Sequence, residues 1–131
     1  MGQALTLTTD LSAWREALTE ACDRVLFGLT YADLEAGVAT GEYLAAGRPE
    51  SGWMVLQKRP VGARWALTIL AMGGRGVRSF IADWARFLED LARDQGCALV
   101  VIVGRPGWQK PLTALGFKVQ DVVLVKEAGV A

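Results

Sequence analysis

The stretch with the clearest chemical potential is a glycine-rich run that follows an apolar segment and opens an amphipathic one. It consists of Gly73, Gly74, Arg75, Gly76, Val77 and Arg78. The first N–H groups of a helix have no partner inside the helix, and with the helix dipole they attract anions. Glycine lets a ligand approach the backbone closely, and the two arginines add positive charge. The stretch favours an anion site, although a turn that only joins a strand to a helix has the same composition.

Other common catalytic groups are missing. The sequence has no histidine, which excludes Ser–His and Cys–His nucleophile pairs and most zinc sites. Its two cysteines, Cys22 and Cys97, are consistent with a reducing compartment, and both fall where small core residues are expected. The two tyrosines, Tyr31 and Tyr43, both lie in the N-terminal half.

The bulk composition predicts one globular domain. The chain has 131 residues, of which 52% are hydrophobic, and it carries 14 basic and 14 acidic residues. A net charge of zero argues against nucleic-acid binding driven by total charge. We expect no membrane partner, because no apolar run reaches the roughly 18 residues that a membrane span needs. The first residues lack a signal-peptide pattern, so we expect none.

The N-terminal half begins with short elements. Residues 4–9 alternate and predict a strand, and an amphipathic helix of about four turns follows from the cap candidates Asp10 and Ser12 to about residue 29. Thr30 opens a T-x-x-D capping-box pattern, which predicts a second helix that ends at Gly41.

The middle of the chain is rich in strand patterns. Residues 42–46 form a weak strand pattern, and residues 53–57 and 64–71 form strong ones. The segment KRPVGA between the two strong strands predicts an antiparallel hairpin with a loop. Residues 72–76 then predict a glycine-rich turn.

The C-terminal half alternates helices and strands. An apolar stripe with helical spacing predicts a long helix from Val77 to the C′ residue Gly96. The run ALVVIV at 98–103 predicts a strand buried on both faces, 108–115 a short helix, and 119–127 a last strand. Because strand, long helix and strand follow one another over 64–103, the two strands should be parallel.

This order resembles the GNAT acetyltransferase fold over nearly the whole chain. The resemblance rests on ILAMGGRGVRSFIADWARFLEDLARDQGCALVVIV, followed by PLTALGFKVQDVVLVKE with its L-x-x-x-G-F pattern. It implies an α/β (α+β) fold, with a mixed sheet of about six strands flanked by three or four helices.

The resemblance also implies a cofactor. In working GNAT enzymes a Q/R-x-x-G-x-G/A turn cradles the pyrophosphate of acetyl-CoA, which here would fall on residues 73–78. Neither register of the turn matches fully: the one starting at Ala71 lacks the first Gln or Arg, and the one starting at Gly73 has Arg78 at the small position.

The family pattern also places a thiolate-protonating tyrosine four residues before the glycine of the G-F pair. That position is Leu112 in this chain. Proton transfer would then fall to Glu42, Asp33, Cys97 or water.

A narrower resemblance is to small GNAT-like proteins encoded among the structural genes of tailed bacteriophages, including the internal virion protein A group. Its matching positions are Gly104, Arg105, Gly107, Trp108, Leu112, Gly116, Phe117 and Lys126. It implies a catalytically degenerate component of the virion or of virion assembly, in the virion or host cytoplasm, with portal, adaptor or tail-ring proteins as partners. The alternative is an acetyl-CoA-dependent N-acetyltransferase acting on a small-molecule acceptor, and a plain binding domain stays open as well.

Several basic and tryptophan side chains outside the glycine-rich run are candidates either for packing or for contact with a partner. Arg105 and Trp108 either pack against the domain or form a partner-binding pair, since both residue types are frequent in interface hot spots. Trp14 and Trp84 fall on apolar helix stripes and should be core, whereas Trp53 and Trp65 could pair across the hairpin. A basic cluster at the hairpin tip is either solvated or contacts an acidic partner or a phosphate; it comprises Lys58, Arg59 and Arg64.

Overall fold

The computed structural model describes residues 6–22, 28–48, 52–74, 77–102, 109–119, 126 and 128–129. A 3-10 turn at Ser12–Trp14 precedes the first α-helix. The strands are β1 (Thr6–Thr8), β2 (Tyr43–Arg48), β3 (Gly52–Val61), β4 (Arg64–Gly74) and β5 (Leu99–Ile102). The helices are α1 (Arg15–Cys22), α2 (Tyr31–Thr40), α3 (Val77–Asp94) and α4 (Gln109–Thr113).

The described strands form one mixed sheet in the order β1-β2-β3-β4-β5. Neighbouring strands from β1 to β4 are antiparallel, and β4 and β5 are parallel with α3 between them, as predicted. The α+β fold is therefore confirmed, with five strands among the described residues instead of about six. Most of the predicted last strand at 119–127 lies outside the described residues.

The hairpin between β3 and β4 is tighter than expected. The strands continue through Pro60 to the Val61↔Arg64 pair, so a two-residue turn replaces the predicted six-residue loop. Proline is tolerated here because β2 pairs with β3 only as far as Gln57. Beyond Gln57 the missing N–H of Pro60 leaves no ladder bond unmade on that side.

The two faces of the sheet carry separate cores. One face packs against α3, and this α3-side core contains Ala46, Met54, Leu56, Leu67, Ile69, Met72, Trp84, Leu88, Leu91, Ala92 and Cys97. The other packs against α1 and α2, and this α1–α2-side core contains Leu11, Leu18, Leu34, Val38, Ala45, Trp53, Val55 and Ala71. Burial of both faces supplies the main driving force for this arrangement.

Strand β5 is more exposed than its apolar sequence predicts. Val100 and Ile102 pack on the α3-side core, but Val101 points to the opposite face and is 37% exposed. Helix α1 packs on β4 on that face. The prediction that β5 is buried on both faces is therefore wrong.

The helix boundaries follow local capping chemistry. The predicted capping box before α2 is present: the hydroxyl of Thr30 accepts from the Asp33 N–H at 3.2 Å, and the Asp33 carboxylate accepts from the Thr30 N–H at 2.9 Å. Helix α3 ends in a Schellman motif, in which Gly96 (φ +71°) and Cys97 donate N–H bonds to the carbonyls of Arg93 and Ala92. The first predicted helix consists of the 3-10 turn and α1 as far as Cys22, and residues 23–27 lie outside the described part.

The tryptophans of the hairpin do not pair with each other, contrary to the cross-strand interpretation. Trp53 lies opposite Gly73 and is buried, whereas Trp65 lies opposite Pro60 and is 43% exposed. The Lys58 ammonium lies 4.8 Å from the Trp65 ring centroid, which gives that exposed ring a cation–π partner. Trp84 is a core residue as predicted, and Trp14 packs at the margin of the α1–α2-side core.

Candidate functional site

Among the described residues, the pairing of β4 with β5 covers four residues of each strand. Their pairing extends from Ala66↔Leu99 to Ile69↔Ile102. Beyond Ile69, β4 continues through Leu70–Gly74 with no β5 residue opposite it among those described. A strand edge without a neighbour presents N–H and C=O groups that an extended ligand can pair with.

A β-bulge lies where this free edge begins. In the β3–β4 ladder Leu56 pairs with Ile69 and Val55 with Ala71, so Leu70 is the extra residue. The bulge inverts the side-chain alternation of β4: Ile69 belongs to the α3-side core and Ala71 to the α1–α2-side core. A bulge bends a strand and changes where its groups point, and here it does so just after the last described β4–β5 pair, Ile69↔Ile102.

The free edge of β4 leads directly to the start of α3. Strand β4 includes Gly73 and Gly74, and α3 begins at Val77 with Arg78 as its second residue. The turn is shorter than the predicted 72–76, because the first three of those residues belong to the strand. Arg75 and Gly76 lie outside the described residues. The unpaired N–H groups and the dipole of an 18-residue helix make its first turn favourable to an anion.

Beside this end of β4 stands a tryptophan between two glycines. Trp53 pairs with Gly47 on β2 and with Gly73 on β4. It belongs to the α1–α2-side core and is 4% exposed, and its Nε1–H has no hydrogen-bond partner among the described residues. Sequence inspection misses this arrangement, because only the strand register shows which residues flank the indole.

Three side chains considered for proton transfer are placed elsewhere. The carboxylate of Asp33 is held in the capping box of α2. Cys97 is buried just before β5, at the end of that strand opposite to Ile102, and Glu42 is exposed at the start of β2.

Strand register fixes the position of Glu42. Its neighbour Tyr43 pairs with Gln57, whereas the strands meet near the end of β4 at Arg48, Gly52 and Gly74. Glu42 therefore lies roughly 20 Å along the sheet from that end. Its carboxylate oxygen Oε1 is 3.4 Å from Nε2 of Gln57, so it has a local structural partner.

Leu112, at the position of the expected tyrosine, is a structural residue. It is buried, and its carbonyl accepts from the N–H of Leu115 at 3.0 Å and of Phe117 at 3.1 Å. These bonds end α4 in the turn of the G-F pair. An apolar side chain here cannot donate a proton.

Of the two tyrosines, Tyr31 has a polar environment. Its hydroxyl donates to Oε2 of Glu35 at 3.2 Å, and the guanidinium of Arg15 lies 5.2 Å from its ring centroid. Desolvation, followed by the hydrogen bond to Glu35, raises the pKa of Tyr31 above its ordinary value. Tyr31 therefore stays protonated at neutral pH, at the edge of the α1–α2-side core.

The proposed partner pair Arg105 and Trp108 lies outside the described residues, so its role stays a prediction. Among the described residues, no group of three cysteine, aspartate or glutamate side chains could hold a metal ion. No helix in the described part of the chain is long and apolar enough to cross a membrane.

Comparison with solved structures identifies the architecture. A probable acetyltransferase superposes with a TM-score of 0.70 at 10% identity, over 98% of this chain and 99% of that one. A ribosomal-protein-alanine N-acetyltransferase from Brucella melitensis biovar Abortus does so with a TM-score of 0.69 at 14% identity, over 95% and 99%. The chain has the GNAT acetyltransferase fold.

The GNAT fold is shared by proteins of more than one description. A transcriptional regulator from Bacillus halodurans superposes with a TM-score of 0.66 at 16% identity, over 94% of this chain and 99% of that one. No protein-family model and no curated protein sequence matches the chain. The GNAT fold is thus established by structure, and the activity has to be argued from the site.

Proposed function

We propose that the chain is an acyl-CoA-dependent N-acyltransferase, with acetyl-CoA as its acyl donor. The observation that carries this proposal is the edge of β4 over Leu70–Gly74, opposite which no described residue of β5 lies; it begins at a bulge and leads to the N-terminus of α3. The similarity to acetyltransferase structures over almost the entire chain supports it.

The residues present fit acetyl-CoA. An extended pantetheine arm, with its amide groups, matches the backbone groups of the β4 edge. Gly73 and Gly74 add no side chain beside that edge, and the start of α3 with Arg78 provides positive potential for the pyrophosphate. Bound acetyl-CoA supplies a thioester: the amine forms a C–N bond to the acyl carbon, the C–S bond breaks, and the thiolate takes up the proton that the amine loses.

The proton in this proposal moves through water. Leu112 cannot carry it, and Asp33, Glu42 and Cys97 are held away from the free edge of β4. The chain then contributes to catalysis by holding the amine and the thioester in a position from which the amine can attack the acyl carbon.

The virion interpretation has no support from the structural similarities, and the acetyltransferase alternative fits them better. The phrase that suggested it also runs partly through residues 103–108, which lie outside the described part of the chain.

Calorimetric titration with acetyl-CoA tests the proposal. We compare the wild type with Arg78→Glu and with the charge-matched control Arg64→Glu. Glutamate in the first turn of α3 is favourable to the helix, so Arg78→Glu removes the anion site without weakening the helix. Arg64 starts β4, roughly 33 Å along the strand from Gly74 and well beyond the Debye length of about 8–10 Å.

We expect the wild type to bind acetyl-CoA, Arg78→Glu to bind at least about tenfold more weakly, and Arg64→Glu to bind like the wild type. The companion variant Arg75→Glu tests the neighbouring arginine in the same way. Absence of binding by the wild type, or an equal loss in Arg64→Glu, contradicts the proposal.

A further inference from the structure

The indole of Trp53 is a buried donor with no acceptor. The residue is 4% exposed, and its Nε1–H bonds to no group in the part of the protein that the structure describes. A buried polar group without a partner costs about 1–3 kcal/mol, and such groups are rare enough in native proteins that each needs an explanation. A ligand oxygen that accepts this bond would supply one.

Trp53 is closed off on the β2 side, where a Cβ on Gly47 would lie only 2.8 Å from the Cα of Trp53, so a ligand would have to approach from the β4 side. The cross-strand neighbours of Trp53 are Gly47 and Gly73, neither of which has a side chain. On one side only the backbone of β4, with Gly73, stands between Trp53 and the free edge where the proposed thioester binds. A molecule on the α1–α2 side of that edge lies one strand away from Trp53, and it must displace part of the packing to contact Nε1, which is closed to solvent in this structure.

The residues around Trp53 indicate which kind of ligand oxygen can accept the hydrogen bond from its Nε1–H. An indole N–H only donates, so the bound group must accept. The α1–α2-side core around Trp53 consists of aliphatic, aromatic and cysteine side chains, and no charged residue is buried among those that the structure describes. A carboxylate would be costly there without a cation, whereas a neutral carbonyl is not.

We propose that Trp53 is a specificity residue for the amine substrate, and that its Nε1–H donates to a neutral carbonyl next to the amine that is acylated. The substrate class is therefore a peptide N-terminus or an amino-acid amide. This inference rests on the proposed function, because the amine must lie beside the thioester at the free edge of β4.

Three matched amines test the inference. L-Leucinamide carries the neutral carbonyl, 3-methylbutylamine is the same molecule without its carboxamide, and L-leucine carries a carboxylate instead. With acetyl-CoA in excess, release of the CoA thiol gives kcat/KM for each. We expect the wild type to prefer leucinamide over both others by about fivefold or more, as one neutral hydrogen bond allows.

The variant Trp53→Phe keeps an aromatic ring and removes the N–H. We expect it to lose the preference for leucinamide over 3-methylbutylamine. Both kcat/KM values are measured on the same variant. A smaller folded fraction lowers both by the same factor and therefore does not change their ratio. Trp14→Phe is the matched control, because Trp14 Nε1 is also buried without a partner in the same core but lies on the 3-10 turn. It should keep the wild-type ratio.

The outcomes separate the two proposals. If the wild type transfers acetyl groups but does not prefer leucinamide, or if Trp53→Phe keeps the preference, the Trp53 inference is wrong and the proposed function stands. If acetyl-CoA neither binds nor reacts with any of the three amines, the proposed function is wrong and the inference falls with it.

Discussion

Trp53 and Trp65 illustrate how the position of one residue decides its environment. Trp53 is near the start of β3, where α1 and α2 cover the sheet, and it is buried. Trp65 is near the hairpin tip, where its ring is 43% exposed and is met by the ammonium of Lys58. The indole N–H of Trp53 therefore has no hydrogen-bond partner among the described residues, whereas the ring of Trp65 has a charge partner, so of these two residues Trp53 is the one that suggests a ligand.

Asp10 makes stability depend on pH at the start of α1. Its Oδ1 accepts from the Ser12 N–H at 2.9 Å. Hydrogen bonds from the side chain and then the backbone of Ser12 lower the pKa of Asp10, against a smaller opposing desolvation. A lowered folded-state pKa means that the stabilisation is complete above the ordinary value of 3.8 and is lost as pH falls through the lower folded value.

We therefore expect Asp10→Ala to lower the free energy of unfolding at pH 7 and to have much less effect near pH 2. Urea unfolding of both proteins at the two pH values measures the difference. Glu16→Ala, which removes an exposed acid from the first turn of α1, is the control for a general charge effect. A loss in Asp10→Ala that is the same at both pH values would mean that the ionised carboxylate is not responsible.

At the scale of elements, local chemistry predicted helices better than strands. The T-x-x-D pattern before α2 and the apolar stripe of α3 are readable along the chain, because capping and helix periodicity involve residues three or four apart. The bulge at Leu70 and the pairing of Trp53 with two glycines depend on register between distant segments. No periodicity within one strand reveals them.

The contact between α2 and β2 depends on one glycine. A Cβ on Gly37 would lie 2.1 Å from Cδ2 and 2.7 Å from Cγ of the Tyr43 ring. Replacing glycine by alanine inside a helix normally stabilises it by about 1 kcal/mol. Here the ring must move out of the α1–α2-side core. The cost of this overpacking, typically about 1–3 kcal/mol, should exceed the gain in helix propensity.

We expect Gly37→Ala to lower the melting temperature, measured by circular dichroism. The reference variant is Ala36→Gly on the exposed side of α2, which reports helix propensity without a contact. The double variant Gly37→Ala/Tyr43→Leu should recover part of the loss. A gain in stability for Gly37→Ala alone would show that propensity outweighs the ring contact.

For the whole molecule, the order of elements was enough to predict the fold, and it was not enough to predict the site. Strand, long helix and parallel strand over 64–103 specify the crossover, and two amphipathic helix patterns cover the other face. The candidate site, however, depends on the five residues of β4 beyond Ile69, opposite which no described residue of β5 lies, and strand pairing is set by packing on both faces. The glycine-rich run stays a prediction as a cofactor site, and two of its glycines belong to the strand and not to the turn.

The proposed binding mode predicts where acetyl-CoA should slow amide hydrogen exchange. Pairing along the free edge and the anion site at α3 should protect residues 70–74 and the first turn of α3 from Val77. The hairpin at 58–65 lies at the other end of β4 and should change least. With ligand at 100 times its Kd, a bound state is stabilised by about 2.7 kcal/mol, which allows protection of up to about 100-fold.

Hydrogen–deuterium exchange with and without acetyl-CoA measures this pattern, and the Arg78→Glu protein at the same ligand concentration is the control. Because the edge and the helix start are adjacent, they should gain protection together in the wild type and lose it together in the variant. Protection centred on α2 or the hairpin, with none at residues 70–74, would place the ligand elsewhere. It would also separate Trp53 from the reacting thioester, since the path from the indole to the ligand runs over Gly73 on β4.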